Sequence, residues 1–537
     1  MIRLYTFVIC SLALIGTISA QTPELIADLN PTGNGLDEFE TGFQTIGNKT
    51  ILVGDNGQTG KEIYVLENNT LSLVKDIATG VTGSQPQFLT VLDGKVYFVA
   101  TDSAHGREIW VTDGTSDGTA IAYDLSPGTG SSNPAYLIAS ASGLLFFESN
   151  HKIYSMTPGS APVKLNAPPY TDLEPDYKTL GNKIVRFKDG VAFAAQDASF
   201  QDSTQIWVSD GTPGGTLKVA SYVASFSGGT FALMALEDKV LFAIENDFAP
   251  EDAVNGFYAT TGVPGEVVQI VSAPGQDNNK MPERFMPADD NTAYFYTFSG
   301  MYITDGTLAG TVKLTNSLQQ YLSQNEPYPF AYLQGKALFH PDNGSFTSDL
   351  YQSDGTVPGT SILKTIDESF VEQFVRYRNK IFFVSGITNS FKPKIWESDL
   401  TAAGTKSVYN YSVPSSSGPS IIILGFIDEY LYYQSNLEGK GRELYRIKVD
   451  VSAATHHPYG LASAYSLEYF PQSGTGSVAG GNPNEQLTVR LFDMQGRELQ
   501  NIISTSDALF HLVPFEGLGV LTVQGRSGMQ AFKVMGR

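Results

Sequence analysis

The chain contains one cysteine, Cys10, among its 537 residues. A lone thiol excludes an internal disulfide framework and a thiolate metal cluster. Basic residues are scarce: 34 Lys and Arg stand against 55 Asp and Glu, a formal net charge of −21. Nucleic acid needs a face rich in Lys and Arg, so it is excluded as a partner. Charged residues of both signs make up only 17% of the chain, too few for a disordered acidic polymer. Histidine is sparse too. His105, His151, His340, His456, His457 and His511 never take an H-E-x-x-H spacing, and there is no G-x-S-x-G elbow or phosphate loop. The sequence therefore assigns no cofactor, no metal site and no catalytic residue. What it has in quantity is glycine (53), phenylalanine (32) and tyrosine (27), the composition of a turn-rich β protein.

Residues 1–20 read as an export signal. Arg3 is the positive n-region, Phe7 to Ile15 the apolar stretch, and Ile18-Ser19-Ala20 the small-residue site before Gln21. Cleavage is expected between Ala20 and Gln21. The apolar run falls short of the ~20 residues of a spanning helix, and the mature chain offers no longer one. Cys10 lies within the signal and leaves with it.

Self-similarity organises the rest. Glu108-Ile109-Trp110-Val111-Thr112-Asp113-Gly114-Thr115 is followed by Gly118-Thr119. The unit returns around Trp207 with Asp210-Gly211-Thr212, around Tyr302 with Asp305-Gly306-Thr307, and around Tyr351 with Asp354-Gly355-Thr356. A worn copy is Trp396-Glu397-Ser398-Asp399-Leu400-Thr401. Tyr64, Tyr154, Tyr258 and Tyr445 keep the aromatic and, on the sequence, lose the turn. These nine anchors recur every 44 to 53 residues, and each follows a short apolar run such as Val96-Tyr97-Phe98-Val99.

One repeat parses into four strands. Phe88 to Leu92 leads into an Asp93-Gly94 hairpin turn; Val96 to Thr101, Glu108 to Thr112 and Thr119 to Asp124 follow. Four strands repeated at this period predict an all-β propeller of about nine four-stranded blades, with eight to ten allowed. A helical solenoid would need a 3.6 period that is absent. The last repeat lacks a fourth strand, and Glu24-Leu25-Ile26-Ala27-Asp28-Leu29 resembles the fourth strands elsewhere. Residues 24–29 are therefore expected to close the ring and cover its open edge. The Asp-Gly-Thr segments (Asp113-Gly114, Asp210-Gly211, Asp305-Gly306, Asp354-Gly355) read as turn chemistry, with Asp bonding amides two residues on and Gly supplying positive φ.

The Glu-Ile-Trp-x-x-Asp-Gly-Thr-x-x-Gly-Thr pattern is similar to the E-L-W-x-x-D-G-T repeat of secreted bacterial proteins. That family implies no particular activity. After residue 450 the period stops. Residues 451–466 read as a linker and 467–537 as a small C-terminal β-sandwich. Leu491-Phe492-Asp493-Met494-Gln495-Gly496-Arg497-Glu498-Leu499, Gly519-Val520-Leu521-Thr522-Val523 and the basic end resemble the C-terminal sorting domain of type IX secretion in Bacteroidetes-type bacteria. Tyr469-Phe470-Pro471-Gln472 replaces its usual Tyr-Pro-Asn-Pro opening. The resemblance implies the type IX machinery as a partner. It also implies passage across the outer membrane to the medium or the cell surface.

In a four-stranded meander the first and third turns share one face of the ring. The second turns and the interblade connections share the other, and repeat-length variation falls there. Its candidate ligand residues are Tyr170, Asp172, Asp176, Tyr177, Phe200, Asp202, Glu245, Asp247 and Phe248, carboxylates beside aromatic platforms. They suit a glycan or a surface protein, although a solvated acidic rim is the more ordinary account of such charge runs. Three functions stay open: a secreted or surface binding and adhesion scaffold, which the sequence favours; a propeller hydrolase such as a glycosidase; and a purely structural surface protein.

Overall fold

The computed structural model describes residues 22–37, 42–165, 184–197, 200–223, 233–244, 256–272, 285–288, 291–297, 300–315, 330–340, 348–366, 371–386, 393–410, 421–436, 439–449, 466–470, 475–479, 486–493, 498–505, 509–511, 518–525 and 528–535. Among them no α-helix occurs, and no helix is long and apolar enough to cross a membrane. Nine four-stranded antiparallel sheets form a nine-bladed β-propeller.

Blade 1 consists of Gln44–Ile46, Lys49–Asp55, Lys61–Glu67 and Thr70–Lys75. Blade 2 consists of Gln87–Leu92, Lys95–Asp102, Gly106–Thr112 and Ala120–Tyr123, within two residues of the strands expected from sequence. Blades 3 to 8 repeat this order, with third strands Lys152–Met156, Phe200–Ser209, Gly256–Thr260, Gly300–Thr304, Ser348–Ser353 and Lys394–Ser398. Each third strand carries one anchor aromatic. First strands of neighbouring blades lie against one another, which places them innermost.

The ring closes as expected. Blade 9 takes Ile421–Ile427, Tyr430–Ser435 and Glu443–Lys448 from one end of the propeller and Glu24–Ala27 from the other. Glu24 pairs with Arg446 and Leu25 with Tyr445. Ion pairs reinforce the seam, Arg446 to Glu24 at 2.6 Å and Lys440 to Asp28 at 3.0 Å.

The core is not central; it is divided among the interfaces between blades. Ile51, Val53 and Ile63 of blade 1 meet Val96, Phe98 and Trp110 of blade 2. Equivalent apolar clusters join every successive pair round to blade 9, and Leu52 and Tyr64 then meet Tyr432 and Leu444 across the seam. This explains why second strands are apolar on both sides: each face of a blade is packed against a neighbour. Ile51, Leu52 and Val53, successive in sequence, are all essentially inaccessible.

Beyond 465 the chain forms two further antiparallel sheets. One joins Ser466–Phe470, Thr475–Ala479 and Leu509–His511; the other joins Glu498–Thr505, Gln486–Asp493, Leu518–Gly525 and Gly528–Met535. The first of these strands opens at Ser466, the last residue of the stretch read as a linker.

Candidate functional site

The anchors all sit on third strands, and each faces a bulky residue on the second. Tyr64 is opposite Leu52, Trp110 opposite Phe98, Trp207 opposite Phe193 and Trp396 opposite Phe383. Tyr154, Tyr258, Tyr302, Tyr351 and Tyr445 face Phe147, Phe242, Phe295, Phe339 and Tyr433, and these five pairs stack with centroids 5.0–5.8 Å apart. In six blades the pairing beside the anchor skips one residue of the fourth strand, so the bulge and its bend belong to the outer strand.

On the first face the Asp-Gly-Thr turns consume their own polar groups. Asp113 Oδ1 accepts from the Thr115 amide (2.9 Å) and hydroxyl (2.6 Å), and the Gly118 amide donates to Thr115 Oγ1 at 3.0 Å. Thr112 and Thr119 share a hydroxyl hydrogen bond of 2.7 Å, while the Gly114 amide donates to Thr112 Oγ1. The same set recurs at Asp210, Asp305, Asp354 and Asp399. Hydrogen bonds from the following Thr hold the carboxyls of Asp113, Asp210, Asp354 and Asp399 below their usual range. Gly114 has φ 82°, and Leu400 keeps the same left-handed conformation at φ 65° without being glycine. The turn also survives in part at Tyr258, where the sequence had none: the Gly262 amide donates to Thr260 Oγ1 at 3.1 Å.

Lysines complete this face. Lys49 Nζ of blade 1 donates to the Asp113 carbonyl of blade 2 (3.2 Å), and Lys188 of blade 4 to the Thr261 carbonyl of blade 5 (2.9 Å). Turns are thus capped from the preceding blade.

The second face holds a device that the sequence reading missed. Glu62, Glu108 and Glu443, each two residues before an anchor, are fully buried. Each carboxylate captures the connection to the next blade. Glu108 accepts from the amides of Leu125 (3.0 Å) and Ser132 (2.8 Å) and the Ser132 hydroxyl (2.6 Å). Glu62 takes the amides of Ala78 and Ser84 and the Ser84 hydroxyl. Glu443 takes the amides of Leu29, Asn30 and Gly35 across the seam. Burial pushes all three carboxyls up, against the lowering effect of these donors. A glycine at positive φ precedes each clamp (Gly60, Gly106, Gly441), because a Cβ there would strike the backbone of the captured connection. The recurring Gly-Lys/Arg-Glu triplet at 60–62, 106–108 and 441–443 was the available signal. Blades 9, 1 and 2, which carry it, are consecutive around the ring.

Of the candidate ligand residues, Tyr170, Asp172, Asp176, Tyr177, Glu245, Asp247 and Phe248 lie outside the described residues, as do Ala20 and Gln21 at the signal site. Phe200 and Asp202 fall on the third strand of blade 4. The described second face does present His105, whose Nδ1 lies 2.8 Å from Asp102 Oδ2; that hydrogen bond raises the imidazole pKa. Among the described residues, no three His, Cys, Asp or Glu side chains converge as a metal site.

No family model matches the chain, and no curated protein matches it. Among solved structures, it resembles one from an analysis of two prolyl endopeptidases, at 12% identity and a TM-score of 0.36, over 66% of this chain and 54% of that one. The chain thus spans about half the length of that enzyme. The β-propeller domain of the Trilobed protease from Pyrococcus furiosus matches at 12% identity and a TM-score of 0.30, over 62% of this chain and 99% of that one. The extracellular domain of a one-component system from B. thetaiotaomicron matches at 8% identity and a TM-score of 0.26, over 95% and 82% respectively. These are loose superpositions at low identity, and the propeller stands on the chain's own strand pairing.

Proposed function

We propose that this chain is a secreted or cell-surface binding scaffold that holds a glycan or protein on the second face of its propeller. The signal peptide would carry it across the inner membrane. Its C-terminal unit, which resembles the type IX sorting domain, would carry it across the outer one. The observation that supports the binding reading is the contrast between faces. The first face spends its turn carboxylates and hydroxyls on one another, so little of its polar chemistry is left for a ligand. The second face carries the connections whose length and composition vary from blade to blade, where a regular scaffold places recognition.

Glycan-array retention and an activity screen on the mature chain, 21–537, test this. Retention without turnover is expected; hydrolysis without retention would replace the scaffold with a hydrolase. The export reading has its own test. A chain lacking 467–537 should stay in the periplasm, and its arrival at the surface would remove the sorting role.

A further inference from the structure

Blades 2 and 3 repeat one short element where the chain leaves the second face and enters the innermost strand. It reads Ser84-Gln85-Pro86-Gln87-Phe88 in blade 2 and Ser132-Asn133-Pro134-Ala135-Tyr136 in blade 3. Each serine is held by a buried glutamate, Ser84 by Glu62 and Ser132 by Glu108. The amide residue follows at positive φ (Gln85 52°, Asn133 46°), and so does the aromatic (Phe88 56°, Tyr136 53°). Both aromatics fall in a bulge, where the innermost strand carries one residue more than its partner.

Left-handed backbone is rare for a bulky residue, and the repeat shows that this bulge does not require an aromatic. Gln373 holds the equivalent position of blade 8 at φ 57°. It is buried and bonds to blade 9, donating to the Ile421 carbonyl (3.0 Å) and accepting from the Ile423 amide (2.8 Å). Phe88 offers no such bond. It lies against Tyr136 of the next blade, with ring centroids 5.6 Å apart and planes at 49°, and both rings are half-buried. Two neighbouring innermost strands thus present an aromatic corner. Three residues before each ring stands an amide; Gln85 donates to the Thr82 carbonyl, while Asn133 is exposed.

An apolar ring surface with a few placed amides suits a ligand that has C–H faces and hydroxyls, which is a pyranose. Neither segment contains a charged residue. The neighbouring Arg107 guanidinium is engaged by the Gln85 carbonyl and Gln87 Oε1. A basic or acidic ligand therefore finds no counter-ion in either segment. The glutamates fix both serines beforehand, so little ordering is left for a ligand to impose.

Resting on the glycan-binding reading above, we propose that an uncharged hexopyranose unit docks at the Phe88/Tyr136 corner, with Asn133 bonding its hydroxyls. The test is an array of gluco-, manno- and galacto-oligosaccharides, with oligogalacturonates as the charged set, probed with the mature chain and two variants. Phe88→Gln/Tyr136→Gln copies Gln373, a residue that this fold already places in the bulge; unchanged melting verifies it. Asn133→Gly removes the amide and accepts positive φ. Binding to a neutral oligosaccharide is expected, with half-saturation raised at least about tenfold by the double substitution and about threefold by Asn133→Gly. Undiminished binding by Asn133→Gly, or by a double variant of unchanged melting, overturns this site and leaves the scaffold reading standing. A mature chain that binds no member of the array overturns the site and the glycan reading together. Binding to oligogalacturonates alone overturns the uncharged ligand.

Discussion

The carboxylate of Asp113 occupies the place where a β-carbon on residue 118 would stand, and residue 118 is glycine. The same overlap links Asp210 to Gly215, Asp305 to Gly310, Asp354 to Gly359 and Asp399 to Gly404. The two glycines of the Asp-Gly-Thr-x-x-Gly-Thr motif thus have different causes. The first supplies positive φ; the second makes room for the carboxylate that the turn is built around.

Gly118→Ala should therefore destabilise the protein by about 1–3 kcal/mol, because Asp113 must leave its two bonds to Thr115. Gly214, in the corresponding turn of blade 4, has open space where a Cβ would go. Gly214→Ala should stay within about 0.5 kcal/mol of wild type. Urea unfolding of both variants checks the pair, and equal losses would sink the explanation.

The tryptophan anchors separate packing from hydrogen bonding. Trp110 is 6% exposed, and its indole N–H has no partner among the described residues. Trp396 Nε1 donates to Ser385 Oγ at 2.9 Å. Trp110→Ala should cost ~3–5 kcal/mol, and a loss below about 1 kcal/mol would refute its place in the core. Replacement by Phe should cost about 1 kcal/mol more at 396 than at 110, since only there is an acceptor abandoned. Denaturant midpoints of the two Phe variants decide it.

The buried glutamates set a pH dependence of definite sign. The folded pKa of Glu108 lies above its unfolded value of 4.5. Its linked stability is therefore fully present below about pH 4.5 and is lost as pH rises through the folded value. Glu108→Gln should flatten that part of the profile. Asp113 runs the other way: its folded pKa is lowered from 3.8, so its contribution exists above that value and fades as pH falls through the folded one. Chemical denaturation at a series of pH values reads both. Parallel profiles for wild type and Glu108→Gln would contradict the raised carboxyl.

Removal of residues 22–29 should lower Tm by more than about 5 °C, because it bares the edge of Glu443–Lys448 and deprives Glu443 of the Leu29 amide. Glu24→Ala alone should change stability by less than about 1 kcal/mol, since Glu24 is 51% exposed. Differential scanning calorimetry distinguishes a seam held by the whole segment from one held by a single ion pair. An unchanged melting curve for the deletion is the failing result.

Much of this was legible before any coordinates, and particular residues show why. Strand alternation and the anchor period are local, so Val96 to Thr101 and Glu108 to Thr112 declared themselves, and the orphaned third strand at 443–448 called for a partner at 24–29. The Glu clamps were not legible as clamps. A glutamate within a strand reads as solvent-facing, and only the path of the connection 124–132 turns Glu108 inward onto three donors. The turn at Tyr258 escaped for the opposite reason: Thr260 replaces no consensus residue, yet its hydroxyl makes the bond that Thr112 makes in blade 2.

By itself the amino-acid sequence determined a nine-repeat all-β ring and its closure, because both follow from near-neighbour pattern: period-two strands, turn residues and one unpaired edge. Tertiary structure alone decided which side of a repeated residue is used. Leu217, Val268 and Val312 are ordinary strand residues in the sequence. Each is exposed only because fourth strands lie outermost, while the equally apolar second strands are enclosed by a neighbour on either side. Burial in a propeller is a property of the ring rather than of the repeat.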